Sequence, residues 1–275
     1  MAIVLALGAS LTWGLADFFG PLKGRRLGVL RALVWVQVGG LIGIALFVAG
    51  RAHGPASATT LLAIPAAMSG TLGLYAYYRG VMVGAVSVVS PIAGLSAVVP
   101  VTVGIVSGDR PSAWQLAGMG CALLGVFLAS REPGQGGPRV AAGVGLALLA
   151  AVGFGGYFPF MHAAGNADYW WASLFFRMTS VALVLVAAGI RRPSLAVSRR
   201  DVFVLALIGT GDTLGNLFFA AASASGLVSV TSVLASLYPV VTVLLARLVL
   251  SERVARSQEA GIGLTLSGVV LISAG

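Results

Sequence analysis

The sequence contains one apolar pattern twice, and this duplication limits the folds available to the chain more than any other feature. Thr71-Leu72-Gly73 returns as Thr213-Leu214-Gly215, 142 residues later. The spacing then grows by one residue, and a glutamine with three glycines repeats at the new spacing: Gln115, Gly118, Gly120 and Gly125 return as Gln258, Gly261, Gly263 and Gly268. The first residues of the chain recur more weakly from Leu146 onward. Duplication of this kind predicts two structurally related halves.

The composition of both halves indicates whether the chain folds in water or in a lipid bilayer. Of the 275 residues, 58% are hydrophobic and only 9% are charged, whereas soluble domains carry about 25% charged residues. The chain is therefore predicted to be an all-α integral membrane protein. The formal net charge of +9 does not indicate nucleic-acid binding, because the basic residues occupy short gaps between apolar segments, where they orient membrane helices.

Ten apolar segments are long enough to cross about 30 Å of hydrocarbon. They lie near 2–20, 30–50, 60–79, 82–106, 112–130, 140–160, 169–190, 202–222, 226–250 and 257–274. A Pro- and Gly-rich linker, 131–139, separates the first five, in 1–130, from the last five, in 140–275. Because five is an odd number, the second half enters the membrane in the opposite orientation. The predicted fold is therefore ten transmembrane helices arranged as two inverted five-helix repeats.

Basic residues are distributed unequally between the two ends of the predicted helices. Fourteen lysines and arginines flank the odd-numbered connections, whereas only Arg51 and Arg110 flank the even-numbered ones. The positive-inside rule places the odd connections in the cytoplasm and both termini outside. We therefore predict a multi-pass protein of the cytoplasmic (inner) membrane in this orientation.

Several local features resemble the EamA branch of the drug/metabolite transporter superfamily along the whole chain. They are Trp13-Gly14 in span one, Pro91, Pro100 and Pro239 in spans four and nine, and the endings SGDRPSAWQLAG (107–118) and SERVARSQEAG (251–261). The resemblance implies ten helices in inverted repeats, with a central cavity between spans one, three, four, six, eight and nine. It also implies alternating access and transport of amino acids or other small metabolites. Many members have both termini inside, opposite to the charge-based prediction.

An acidic residue inside a predicted span is a candidate functional group, because charge is costly in lipid. Asp212 lies near the centre of span eight, and Asn216 follows one turn later on the same face. Their repeat counterparts are Gly70 and Leu74, so the acid occurs in one half only. We predict that Asp212 couples transport by carrying a proton, or neutralises a substrate ammonium group. A structural acid bonded to neighbouring helices is the alternative.

Two further charged residues lie within predicted spans. Asp17 follows Trp13 by four residues, so the two side chains share a helix face. It is a candidate for substrate binding if span one continues past it, and an interfacial residue if span one ends there. Arg177 lies about two turns inside span seven, where pairing with an acid is one explanation for it.

Aromatic and hydroxyl side chains complete the predicted substrate site. An aromatic wall would stack on a flat apolar group or surround a cation, and serines repeated in both halves are candidates to face the cavity. Helix packing is the alternative for each of them. Besides the two acids and Asn216, the predicted substrate-binding residues are Trp13, Tyr75, Tyr78, Ser90, Phe154, Tyr157, Ser232 and Tyr238.

These features favour a secondary active transporter that exports a small metabolite, foremost a hydrophobic or aromatic amino acid, by alternating access. A hydrophobic or quaternary-ammonium cation is the alternative substrate. An integral-membrane enzyme or a structural membrane protein is the alternative class, but the two histidines are far apart and form no catalytic cluster. No metal, cofactor or nucleotide motif is predicted. The predicted partners are the substrate, the lipid bilayer and protons, and the predicted state is a monomer or weak homodimer.

Overall fold

The computed structural model describes residues 1–51, 53–83, 89, 92–129, 138–250 and 256–274, and the regular secondary structure in these ranges is helical. Helices suit this sequence because, in lipid, backbone polar groups must be satisfied within the segment that carries them. The α-helices are α1 (Ala2–Leu27), α2 (Val29–Ala49), α3 (Ala63–Val83), α4 (Val98–Val106), α5 (Ala113–Ala129), α6 (Pro138–Arg191), α7 (Arg199–Ala224), α8 (Val228–Ala235), α9 (Tyr238–Leu250) and α10 (Arg256–Ala274). Short 3₁₀ turns, Ala58–Leu62 and Leu95–Ala97, lead into α3 and α4.

The lengths and composition of these helices fit a membrane protein. Among the described residues, five helical stretches are long and apolar enough to cross a membrane: Ala2–Leu27, Val29–Ala49, Ala58–Val83, Gly143–Arg191 and Arg199–Ala224. Shorter apolar helical segments accompany them in the described ranges: Ile92–Val106, Ala113–Leu128, Val228–Thr242 and Glu259–Ile272. The predicted class, an all-helical membrane protein, is therefore confirmed, while the number of crossings stays a prediction.

The longest helix, α6, has the length of two membrane crossings. Its 54 residues would extend about 80 Å at 1.5 Å per residue, against roughly 30 Å of hydrocarbon. The backbone of Asp168 leaves the helical conformation, with φ −165° and ψ 105°. The Asp168 carboxylate accepts hydrogen bonds from the N–H groups of Trp170 (2.9 Å) and Trp171 (3.2 Å), as an N-cap does. Asp168 therefore begins a second helical segment, close to the predicted boundary at 169.

The predicted ninth span, 226–250, is a discontinuous helix. A turn at Ser236 and Leu237 separates α8 from α9. Pro239 follows at the start of α9, where a residue without a backbone N–H is tolerated. In the first half, the 3₁₀ turn Leu95–Ala97 interrupts the chain at the matching place. Interrupted helices leave backbone groups free to face a cavity, which is a common construction in transporters.

Glycines repeated in sequence also contact one another in space. A Cβ placed on Gly118 of α5 would lie 2.7 Å from the carbonyl oxygen of Gly268 in α10. A Cβ on Gly125 of α5 would lie 2.7 Å from the carbonyl oxygen of Gly261. Only glycine allows the backbones to approach so closely. Because the contact position rises along α5 while it falls along α10, the two helices run antiparallel.

A second pair of equivalent contacts joins the first helices of the two halves to the discontinuous ones. A Cβ on Gly14 of α1 would lie 2.9 Å from the carbonyl oxygen of Tyr238, beside Val241. A Cβ on Gly155 of α6 would lie 3.0 Å from the carbonyl oxygen of Ser96, beside Val99. Each residue of the first contact is the repeat counterpart of one in the second. The two halves therefore pack with the same contacts.

Two polar contacts connect the halves at helix ends. The Asp109 carboxylate accepts hydrogen bonds from the backbone N–H (2.8 Å) and the hydroxyl (2.7 Å) of Ser229 in the first turn of α8. Lys23 near the end of α1 pairs with Asp201 in the first turn of α7 at 2.6 Å. Asp109 belongs to the 107–118 ending on which the family resemblance rests. In this structure, its carboxylate caps a helix of the opposite half.

Candidate functional site

A central cavity lies where α1, α2, α3, α6, α7 and α9 converge. The space between its lining atoms is about 530 Å³, including the part that is open to solvent. The lining residues are Trp13, Asp17, Gln37, Gly70, Thr71, Leu74, Phe154, Tyr157, Phe158, Phe176, Asp212, Asn216 and Tyr238. The lining combines an aromatic wall with two carboxylates and a few neutral polar groups.

The aromatic wall is held by edge-to-face packing between rings. Trp13 contacts Tyr157 at a centroid distance of 5.8 Å, and Tyr157 contacts Phe176 at 5.3 Å. On the opposite side, Phe154 contacts Tyr238 at 6.3 Å. Such pairs stabilise one another beyond simple burial, so the wall is a fixed surface. Aromatic faces attract cations as well as apolar groups.

A buried ion pair lies beside this wall. The Arg177 side chain is fully buried, and its Nη2 donates to Oδ2 of Asp212 at 2.7 Å. Its Nη1 donates to Oε1 of Gln37 on α2. A Cβ on Gly40 would lie 3.1 Å from Arg177 Nε, so this glycine gives the guanidinium its space. A neighbouring helix therefore supplies the counter-charge of Asp212, which agrees with the alternative of an acid bonded to neighbouring helices.

Asp17 is the acid of the cavity without a counter-charge. Its residue surface is 7% exposed, and no described residue forms an ion pair or hydrogen bond with its carboxylate. Asp212 faces the same cavity and repels the charged form of Asp17 electrostatically. With Asp212 balanced by Arg177, an ionised Asp17 gives the cavity one uncompensated negative charge. A buried charge of this kind is costly unless a partner neutralises it.

A phenolic hydroxyl at the cavity also lacks a partner. Tyr157 is 4% exposed, and its hydroxyl has no hydrogen-bond partner among the described residues. Tyr238 is 3% exposed, and its hydroxyl faces the Ser96 side chain. Asn216 is buried on the same cavity and adds an amide. Buried polar groups are normally satisfied, so these groups are available to a ligand or to water.

Some predicted site residues lie elsewhere. Tyr75 is 38% exposed and lines a separate pocket with Arg31, Arg79 and Arg191. The Tyr78 ring packs against Gly20 and Gly24 of α1 rather than lining the cavity. Ser232 is buried within α8, away from the lining, and Ser90 lies outside the described residues. The structure therefore places Tyr75, Tyr78 and Ser232 outside the lining of the central cavity, and their part in substrate binding stays a prediction.

Other cavity residues were missed from the sequence. Gln37 and Thr71 were recognisable as polar residues within spans. Arg177, which pairs with Asp212 beside the cavity, was recognisable in the sequence as a charge that could pair with an acid. Leu74, Phe158 and Phe176 carried no signal, because the sequence of an apolar helix does not distinguish a cavity face from a packed face. Thr71 donates its hydroxyl to Ser180 at 2.8 Å, which joins α3 to α6 at the cavity edge.

An all-helical membrane protein with a charged, aromatic cavity between two related halves is in the class of small-solute transporters. The family model described as the EamA-like transporter family matches residues 1–131 and 141–274. The chain therefore belongs to the EamA-like transporter family, within the drug/metabolite transporter superfamily. Members of this family are transporters of small solutes in membranes.

The other comparisons add the fold. None of the curated proteins matches the sequence significantly. A solved structure titled "Crystal structure of protein" has 17% sequence identity and a TM-score of 0.80, and the match covers 99% of this chain and 98% of that chain. At this identity the likeness shows a shared fold.

Proposed function

We propose that the protein is a secondary active transporter whose substrate is a small organic ammonium compound with an apolar or aromatic body. The single observation that supports this most is the unpaired, buried carboxylate of Asp17 in an aromatic-walled cavity. A substrate cation would neutralise Asp17, and its apolar part would pack on Trp13, Phe154 and Tyr157. An anionic substrate such as a phosphate ester would add a second uncompensated negative charge, which the cavity disfavours.

The proposed architecture is ten membrane crossings in two inverted halves that move by alternating access. The antiparallel packing of α5 and α10 supports inversion, because these helices are repeat counterparts and would run parallel if the halves had the same orientation. The two separate matches of the family model, 1–131 and 141–274, support the duplication. The site lies between the halves, as in other transporters built from inverted repeats.

The proposed coupling follows from the charge on Asp17. An empty cavity with an ionised Asp17 contains an uncompensated charge, so a proton or a substrate cation would bind there but not both. Exchange of one for the other would move the substrate against its gradient when a proton gradient is present. Asp212 is paired with Arg177, so the proposal assigns the one exchangeable charge of each cycle to Asp17.

Flux into proteoliposomes under an imposed pH gradient tests this proposal. Benzyltrimethylammonium is expected to accumulate inside the liposomes. Protons are expected to leave the liposomes in exchange for it. Neopentylbenzene has nearly the same shape without the charge, and is expected not to compete. If the neutral isostere competes as well as the cation, or if no ammonium compound is transported, the carboxylate does not select the substrate.

A zwitterionic amino acid is the second candidate substrate. The unpartnered hydroxyl of Tyr157, with the Asn216 amide, supplies donors that a carboxylate requires. Phenylalanine and phenethylamine differ by that carboxylate. Transport of phenylalanine without transport of phenethylamine would identify an amino-acid transporter, whereas the cation proposal expects phenethylamine to be transported at least as well.

A separate proposal concerns orientation in the cytoplasmic membrane. It is based on the count of basic residues. Cysteines introduced as Ser194→Cys, beyond α6, and Ala56→Cys, before α3, are exposed positions at opposite ends of the helices. In a Cys121→Ala background, an impermeant thiol reagent is expected to label position 56 rapidly in intact cells and to leave position 194 unlabelled until lysis. The reverse pattern would place both termini in the cytoplasm, as in many family members.

A further inference from the structure

A second polar pocket, separate from the transport cavity, lies beside the connection between α1 and α2. Three arginines from different helices converge on it: Arg31 of α2, Arg79 of α3 and Arg191 at the end of α6. The α3 residues that line the transport cavity are Gly70, Thr71 and Leu74, whereas this pocket receives Tyr75 and Arg79, which lie further along α3 toward its C-terminal end.

The arginines of this pocket have no internal counter-charge. In the described part of the chain, no carboxylate pairs with Arg31, Arg79 or Arg191. The Nε atom of Arg31 is buried and has no hydrogen-bond partner among the described residues. Three like charges at one site repel each other unless an anion lies between them. The pocket is therefore complementary to an anion.

The start of α2 adds backbone donors to the same pocket. Gly28, Val29 and Leu30 line the pocket, and the helix begins at Val29. No side chain caps this N-terminus, and its first turn contains no acidic residue. The first N–H groups of a helix lack partners within the helix, and its dipole favours an anion there. The Gly28 N–H donates to the Gly24 carbonyl at 2.8 Å. The amides of Val29 and Leu30 and the guanidinium groups provide the donor set that binds a phosphate group.

The surroundings of the pocket favour a phosphate attached to a lipid. Below Arg79, α3 presents an exposed apolar face that includes Met68 (55% exposed) and Leu72 (50%). At the end of α6, Val186 (62%) and Ile190 (75%) are also exposed. In a membrane protein, such faces contact acyl chains. A phosphate held at the helix ends would thus have its acyl chains beside these side chains.

We propose that Arg31, Arg79, Arg191 and the N-terminus of α2 form a binding site for the phosphate group of an anionic phospholipid. Basic pockets between membrane helices bind lipid headgroups in this way. The site is independent of the transported substrate, because none of its lining residues lines the central cavity.

The test compares two triple variants with the same loss of charge. The pocket variant is Arg31→Gln/Arg79→Gln/Arg191→Gln. The control is Arg26→Gln/Arg199→Gln/Arg200→Gln, three exposed arginines that do not line the pocket. Native mass spectrometry of detergent-purified protein measures binding of dioleoylphosphatidylglycerol, with dioleoylphosphatidylcholine as the zwitterionic reference. The wild type is expected to prefer the anionic lipid, and the pocket variant to bind it about 100-fold more weakly. The control is expected to stay within about threefold of the wild type, since its arginines do not line the pocket and act on the headgroup only at longer range.

Several outcomes would overturn the proposal. Equal losses in both triple variants would show attraction by diffuse charge, and an absence of preference for the anionic lipid in the wild type would show no headgroup site. Inorganic phosphate is the second arm. If it displaces the lipid at millimolar concentration, the pocket binds a soluble anion instead. Should the triple pocket variant not fold, Arg79→Gln changes one exposed residue and is expected to weaken lipid binding about fivefold. An unchanged affinity for that variant would also overturn the site.

Discussion

Asp17→Asn is expected to abolish binding of an ammonium substrate while leaving the protein folded. The substitution keeps the shape of the side chain and removes the charge that has no internal partner. Breaking a buried ion pair between substrate and carboxylate costs about 3–5 kcal/mol, which corresponds to a loss of affinity of at least about 100-fold. Equilibrium binding of benzyltrimethylammonium to purified protein measures this loss directly.

The stability of the same variant separates a binding role from a structural one. Because the Asp17 charge is uncompensated in the empty cavity, Asp17→Asn is expected to leave the thermal unfolding temperature unchanged or to raise it. Asp201→Asn is the matched control, since it removes an acid that pairs with Lys23 at a helix end. The control is expected to bind substrate like the wild type. A folded Asp17→Asn protein that binds the ammonium compound normally would refute the proposed role.

The substrate selectivity of Asp17→Asn gives a further distinction. If the carboxylate selects for positive charge, the variant should lose discrimination between benzyltrimethylammonium and neopentylbenzene, because the aromatic wall that packs on both is intact. Asp17→Glu retains the charge one methylene further along α1, and is expected to recover part of the affinity. Recovery by Glu but not by Asn would attribute the effect to charge rather than to packing.

The sequence predicted the pairing of the two halves better than the rotation of individual helices. Repeated residues such as Gly118 and Gly261 could be matched by position alone, and the structure places them in equivalent contacts. Trp13 and Asp17 share a face because they are one turn apart, which requires no tertiary information. These predictions follow from helical periodicity and from duplication, and both can be recognised from residue positions in the sequence.

The facing direction of α3 could not be predicted in the same way. Tyr75 and Tyr78 are three residues apart on a helix that is apolar all round, so periodicity gave no preferred face. Packing against α6 decides the direction, and it turns Gly70, Thr71 and Leu74 toward the cavity while Tyr75 faces the arginine pocket. Contacts between helices distant in sequence are the information that was missing.

The environment of Asp212 was the most consequential part of the site that the sequence left open. Asp212 lies on α7, Arg177 on α6 and Gln37 on α2, so the ion pair depends on the assembly of three helices. Both charges were visible in the sequence, but their proximity was not. The sequence favoured Asp212 as the residue with the exchangeable charge. Because Asp212 is paired with Arg177, we assign that proposed role to Asp17 instead.

Arg177→Gln is expected to destabilise the protein more than any other single substitution proposed here. The guanidinium is fully buried, and removing it leaves the Asp212 carboxylate without its counter-charge. Loss of one partner from a buried ion pair costs about 3–5 kcal/mol, whereas removal of both is often nearly neutral. The double variant Arg177→Gln/Asp212→Asn is therefore expected to recover most of the stability. The wild type, the single variant and the double variant are unfolded in detergent by denaturant or by heat. The free energy of unfolding is then compared among the three proteins.

Transport by the double variant decides which acid carries the exchangeable charge. With Asp17 intact, the folded double variant is expected to exchange an ammonium substrate for protons, because the ion pair balances its own charge and contributes none to the cycle. A double variant that folds and binds substrate but no longer accumulates it against a gradient would return the coupling role to Asp212. A single Arg177→Gln variant as stable as the wild type would show instead that Asp212 does not depend on Arg177. The pair would then have no part in fixing the geometry of the cavity.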